Sequence, residues 1–156
     1  MKLNLLYGKG QKLHEYTNIN AVPVEDEDVI TADPSNLDLF VDDAEAEDII
    51  ACDVVNFLPK SIMISTINHW VSKLRHGGSI SIGGIDSYSI AKDIVSKKID
   101  LQTMNTILYG SEIPSWDIRR NSFTMESLVD HLKDLGLKIQ RSRIDKYEII
   151  VEAIRP

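Results

Sequence analysis

Two glycines directly after a short apolar run are the residues most able to do chemistry in this chain. Leu3-Asn4-Leu5-Leu6 has the character of a buried strand, and Tyr7-Gly8-Lys9-Gly10 follows it at once. A strand that ends in a glycine turn at the carboxyl edge of an α/β sheet is where nucleotide-like cofactors bind, because glycine lets the backbone reverse and approach a ligand closely. A second glycine junction, Gly77-Gly78, separates a helical pattern from Ser79-Ile80-Ser81-Ile82. Gly77 is expected to close that helix in the left-handed conformation and Gly78 to turn the chain into the sheet. Other chemistries lack their residues. His14 and His131 have no acidic or sulfur companions at ligand spacing, and no nucleophile elbow or Walker-type phosphate loop occurs. The lone cysteine, Cys52, lies in the apolar run Ile49-Ile50-Ala51-Cys52 and is expected to be a buried structural thiol.

These residues need a scaffold, and the composition supplies one. The chain has 156 residues, 43% of them hydrophobic, which suits a single domain over 1–156 with its own core. A net charge of −7 argues against a broad nucleic-acid surface, which would need a basic face, and leaves open an RNA or DNA substrate held by a local patch. One cysteine excludes an internal disulfide framework and fits a reducing compartment. No apolar stretch is long enough to span a bilayer and no signal-peptide pattern is present, so the expected location is cytoplasmic, away from membranes.

Strand-like and helical segments alternate along most of the chain, the pattern of an α/β sheet. Strands are expected at 2–6, 17–20, 28–31, 48–52 and 79–82, and two more at 137–143 and 147–154. The connection through Asp145-Lys146 is so tight that the last two strands must be antiparallel neighbours. The first crossover, from Gly8 to Tyr16, is short for a helix and is read as a loop or a single turn. Between Pro59 and His76, the residues Ile62, Ile67, Trp70, Val71 and Leu74 share one helical face, a core stripe. A second helix is expected over 88–97 with Ile90, Ile94 and Val95 inward, and a third over 101–109, stopped by Gly110. Pro114 and weak periodicity make 111–122 a loop or lid. Thr124 and Glu126 mark the start of the last helix and Gly136 its stop. The acidic run Glu25-Asp26-Glu27-Asp28 is read as a solvated loop.

In this order the parts resemble a class I S-adenosylmethionine-dependent methyltransferase, and more closely the small bacterial and phage methyltransferase-like proteins. Those open with Lys-Leu-Asn-Leu-Gly-Cys-Gly, where this chain has Lys2-Leu3-Asn4-Leu5-Leu6-Tyr7-Gly8. Asn18-Ile19-Asn20 stands at the family's Asn-Val-Asp, Asp33-Pro34-Ser35-Asn36-Leu37 at its Asp and polar-leucine stretch, and Asn56-Phe57-Leu58-Pro59 at its Glu-His-Leu-Pro turn. Leu74-Arg75-His76-Gly77-Gly78 is similar to its Leu-Lys-Pro-Gly-Gly. Phe123-Thr124, Leu135-Gly136-Leu137 and the closing Val151-Glu152-Ala153-Ile154-Arg155-Pro156 complete a likeness that runs the length of the chain.

The resemblance implies a Rossmann-like three-layer sandwich around a mostly parallel seven-stranded sheet with a C-terminal antiparallel hairpin. It implies S-adenosylmethionine as cofactor, contacted by Gly8, Gly10, Asn20 and Asp33. Asn20 holds the place of the acidic residue that accepts bonds from the ribose hydroxyls, and Asp33 the place that reads the adenine amino group. A neutral carbonyl accepts roughly half as strongly as a carboxylate. Leu6 replaces the first loop glycine and Tyr7 a small residue, so the cofactor loop is degenerate, and Tyr7 is expected to lie over or inside the cofactor cleft. Methyl transfer requires alignment, exclusion of water and, for many acceptors, a base. Asp53, just past the fourth strand, is the candidate catalytic residue, ahead of His69 and His76. Tyr109, Trp116, Arg119 and Arg120 are placed to cap an anionic, small-molecule or glycan-like acceptor, or to form a surface loop with one anchoring Trp. The same fold retained as a non-catalytic binding or assembly module is the alternative. A nicotinamide-dependent oxidoreductase fits less well, given the missing third glycine, the short first crossover and the terminal hairpin.

Overall fold

The computed structural model describes residues 1–156. Its strands are β1 (Lys2–Leu6), β2 (Thr17–Asn20), β3 (Val29–Thr31), β4 (Ala46–Ala51), β5 (Leu74–Ile85), β6 (Lys138–Asp145) and β7 (Glu148–Ile154), and its helices are α1 (Met63–Lys73), α2 (Ser87–Val95), α3 (Leu101–Tyr109) and α4 (Met125–Asp134). The strands form one sheet in the order β3-β2-β1-β4-β5-β7-β6. Pairing is parallel from β3 through β5 and antiparallel where β7 inserts between β5 and β6. The carboxyl ends of β1, β4 and β5 therefore lie side by side along one edge, with the β6–β7 turn beside them.

Alternation along the strands assigns one face to the core. Leu3 pairs with Ile49, Ile49 with Ile80 and Ile80 with Ala153, and all four side chains are fully buried. Onto that face α1 lays Ile67, Trp70 and Val71, and α4 lays Leu128 and Leu132. The Trp70 indole N–H donates to the carbonyl of Pro34 at 2.7 Å, so the largest core side chain leaves no polar atom unpaired. Over β1 and β2 on the other face runs the helix-free connection 8–16. The Asn4 amide donates to the carbonyl of Gln11, and the Asn18 amide exchanges hydrogen bonds with the backbone of Leu13. No helix is long and apolar enough to cross a membrane.

Two expectations about elements are corrected. The glycine pair does not end the helix. Helix α1 stops at Lys73, and Leu74 is already paired with Ala46 in β5. Gly77, at φ +75°, instead accommodates the register shift between β4 and β5, and its N–H donates to the carbonyl of Arg155. Gly78 is required because a Cβ there would meet the Ala46 carbonyl oxygen at 2.8 Å. Strand formation wins because Leu74 is wholly buried in the sheet. Val95, expected inward, is 81% exposed, since α2 ends there and buries only Ile90.

The remaining boundaries differ by a few residues, as helix and strand ends usually do. Helix α4 starts as a capping box. Its partner is Ser127, whose N–H donates to the Thr124 hydroxyl while its own hydroxyl accepts from the Thr124 N–H.

Candidate functional site

The turn after β1 is built by glycine and closed by a side chain from far along the chain. Gly8 sits at φ +73°, and the N–H of Lys9 donates to the carbonyl of Tyr7. From the end of β2, Asn20 reaches back to hold this turn. Its Oδ1 accepts from the N–H of Gly8 at 2.9 Å and of Val22 at 3.0 Å, and its Nδ2 donates to the Gly8 carbonyl at 3.4 Å. Tyr7 stacks on Phe57 with ring centroids 4.8 Å apart, and Trp116 meets Phe57 edge-on at 5.9 Å. The Trp116 ring rests on Gly8, where a Cβ would fall 2.3 Å from it. Gly10, at φ +141°, in turn covers the Leu6 side chain.

Segment 110–122, which brings Trp116 to Gly8, is fastened to the end of β4 by amides and guanidinium groups. Buried Asn56, in the 3-10 turn Val55–Phe57, accepts from the N–H of Ile85 at 2.7 Å and donates to Asn121 Oδ1 at 3.1 Å. Asn121 donates to the carbonyls of Val55 and Leu58, both at 2.8 Å. Arg119 donates to both carboxylate oxygens of Asp53, at 2.6 and 3.3 Å, while lying 4.7 Å over the Phe57 ring. Arg120 donates to the Phe57 carbonyl at 2.7 Å. Bidentate pairing and stacking both suit arginine, and lysine supplies neither. The two arginines expected to cap an acceptor are thus engaged within the chain.

Between this segment, α3 and the β6–β7 turn lies a cleft of about 580 Å³, with Tyr7, Asp53, Phe57, Trp116, Arg119 and Tyr147 among its walls. Asp53 holds φ +60° at the carboxyl end of β4 and keeps its carboxylate 45% exposed toward solvent. Asp117 closes the loop. Burial pushes its carboxyl up, but bonds from the Ser111 hydroxyl and N–H, helped by Arg119, outweigh this and leave it below the usual range. Burial raises the Cys52 thiol away from reactivity.

Asp33 lies beyond β3, where one oxygen accepts from the Ser35 N–H, and it does not line the cleft. His69 accepts from the Leu37 N–H, and His76 bonds the Pro156 carbonyl at the far end of β5, so neither lines the cleft. No three His, Cys, Asp or Glu side chains are grouped to hold a metal ion. The structure therefore brings Gly8, Asn20 and Asp53 to the carboxyl edge of the sheet, and Asp33 follows β3 along the same edge, beside Ala32, whose N–H donates to the Asn20 carbonyl, but outside the cleft. Sequence reasoning did not single out Asn56 and Asn121 as the pair that positions the covering segment. Their 65-residue separation offered no local signal.

The cofactor that the resemblance implies is tested by this geometry. The left-handed Gly8 and the free oxygen of Asp33 fit such a group once Trp116 moves off Gly8, whereas the buried Asn20 amide is engaged by the backbone of Gly8 and Val22. With Trp116 in place, the backbone approach to Gly8 is shut.

No protein-family model matches the sequence, and no curated protein does. Solved structures do match in fold. A 1,6-didemethyltoxoflavin-N1-methyltransferase from Burkholderia thailandensis, solved with 1,6-didemethyltoxoflavin and S-adenosylhomocysteine, superposes with a TM-score of 0.63 at 13% identity, over 99% of this chain and 71% of that one. A SAM-dependent methyltransferase from Archaeoglobus fulgidus gives 0.61 at 13% identity, over 99% of this chain and 86% of that one. An O-methyltransferase family protein from Burkholderia thailandensis gives 0.55 at 12% identity over 81% of this chain, which spans only 35% of that longer protein. At such identities the shared property is the fold.

Proposed function

We propose that this chain, whose fold is that of the class I S-adenosylmethionine-dependent methyltransferases, is itself such an enzyme, acting as a single domain on a small-molecule or glycan-like acceptor. The observation that carries the reading is the juxtaposition of a left-handed glycine turn at the end of β1 with a walled cleft at the ends of β4 and β5. When bound, the cofactor supplies an electrophilic methyl carbon. Gly8 and Gly10 would take its amino-acid portion along the backbone, Asn20 its ribose and Asp33 its adenine.

Asp53 is the group proposed to take the proton that the acceptor atom loses. Arg119 fixes its orientation without burying it. Aromatic faces from Tyr7, Phe57 and Trp116 beside polar groups suit a sugar-like or heteroaromatic acceptor. Trp116 has to leave Gly8 for the cofactor to enter, and its return would exclude water.

One observation favours a second reading, a non-catalytic binding or assembly module. Asn20 spends both amide atoms on the chain itself and carries no charge for a ribose. Calorimetric titration with S-adenosylhomocysteine separates the two. Catalysis predicts saturable binding that tightens about tenfold in Trp116→Ala, on the scale of an aromatic contact no longer displaced. Absence of heat in both proteins at millimolar ligand supports the second reading.

A further inference from the structure

We propose that a second cavity, of about 450 Å³, between the first turns of α4, strand β6 and the β5–α2 junction, binds a primary alkylammonium group. It shares no lining residue with the cleft described above.

The proposal rests on Asp86. The residue is 1% exposed, and its Oδ1 has no hydrogen-bond partner, whereas Oδ2 accepts from the Ser89 N–H and hydroxyl. A buried carboxylate oxygen without a donor is expensive, and native structures keep few of them. Capping α2 does not explain the charge, because neutral Asn or Ser caps a helix as well as Asp. Asp86 forms no ion pair, and no Lys, Arg or His lines the cavity.

The rest of the lining describes the ligand. Exposed Glu126 and Asp130 add two more negative charges, while Met125, Val129 and Ile144 offer an apolar wall. Such a cavity suits a cation with an aliphatic body. An ammonium brings three donors on a compact head, so one can meet Oδ1 while the others reach hydroxyls such as that of Thr124. A guanidinium would seek both oxygens of the carboxylate, and Ser89 already occupies Oδ2. Metal coordination does not fit, since these carboxylates are not grouped to share an ion.

The test uses the full chain and two probes of equal length, 1-pentylammonium and 1-pentanol, titrated by calorimetry. The expected result is saturable binding of the ammonium only. Asp86→Asn, which keeps the cap, should weaken it at least about tenfold, the scale of a lost charged hydrogen bond. Glu126→Gln and Asp130→Asn should each weaken it by about threefold or less, and less still at high salt. Ile144→Trp fills the outer wall without touching Asp86 and should abolish binding, which keeps the test decisive if Asp86→Asn fails to fold. The proposal is overturned by absence of saturable binding at millimolar ammonium. Equal binding of the alcohol, or unchanged affinity in Ile144→Trp or in folded Asp86→Asn, would overturn it as well.

Discussion

Replacing Asn56 with alanine should loosen the carboxyl edge more than any other single polar change there. Asn56 is fully buried and joins three parts of the chain. It accepts from Ile85 N–H at the end of β5, donates to Asn121 in the covering segment, and its backbone carbonyl accepts from Arg120. Alanine keeps the backbone bond and removes both side-chain bonds. The Ile85 N–H is then left unpaired in the interior, and Asn121 Oδ1 regains only part of its hydration. With about 1–3 kcal/mol for each orphaned group, the loss should be about 2–4 kcal/mol, a sizeable share of the ~5–15 kcal/mol that holds a domain together.

Asn56→Asp is the sharper variant. It preserves an acceptor for Ile85 but sets a carboxylate oxygen against Asn121 Oδ1. Asn121 cannot turn its amide without giving up its 2.8 Å bonds to Val55 and Leu58. Urea denaturation at neutral pH measures both variants, with the midpoint falling and the slope unchanged. A loss below about 0.5 kcal/mol in either would show that the segment is not held in the way described.

Other consequences follow from single contacts. Gly8→Ala should destabilise through its φ of +73° and the overlap with Trp116, and Trp116→Ala in the same chain should return only the steric part, as a double-mutant cycle on thermal midpoints can show. The Tyr16 hydroxyl donates to Asp48, which pushes its ionisation up to about 12. The folded state thus holds that proton more tightly than the unfolded chain, so this stabilisation is complete below pH ~10 and fades as pH rises through about 12. The Tyr147 hydroxyl, which donates to Asp93, is raised as well, so ultraviolet titration should find two late tyrosines, of which the later disappears in Tyr16→Phe. Lys73 ties α1 to Asp38 and Asp43 at 2.6 and 2.8 Å, which raises its own ionisation and lowers that of Asp38. The clamp should therefore strengthen the fold between the carboxylate and lysine ranges and weaken it at either extreme, a profile that thermal melts across pH should lose in Lys73→Met.

What the sequence made legible was local. Helix α3 could be bounded at both ends because Gly110 stops it and Leu101 begins its apolar run, and the structure adds Asp100 as its cap. The β6–β7 hairpin followed from the tight turn at Asp145-Lys146, and the core role of Trp70 from its helical stripe. Gly77 misled because a glycine after a helical pattern looks the same whether it caps the helix or serves a shifted strand register. That choice was made by Leu74 pairing with Ala46, a partner 28 positions away. The site was legible only in its near parts. Gly8 and Asp53 follow strands directly and could be placed on the carboxyl edge. Trp116 on Gly8, and Asn56 on Asn121, are contacts between segments that share no periodicity.

The proposed function requires that the Gly8 turn receive S-adenosylmethionine. Amide NMR spectra of the full chain during titration with S-adenosylhomocysteine test it most directly, because they report place as well as affinity. The Gly8, Gly10 and Asn20 amide signals and the Trp116 indole N–H should shift together along one saturation curve, as the ring leaves the turn. Unmoved signals at millimolar ligand, or shifts confined to another part of the sheet, would contradict it.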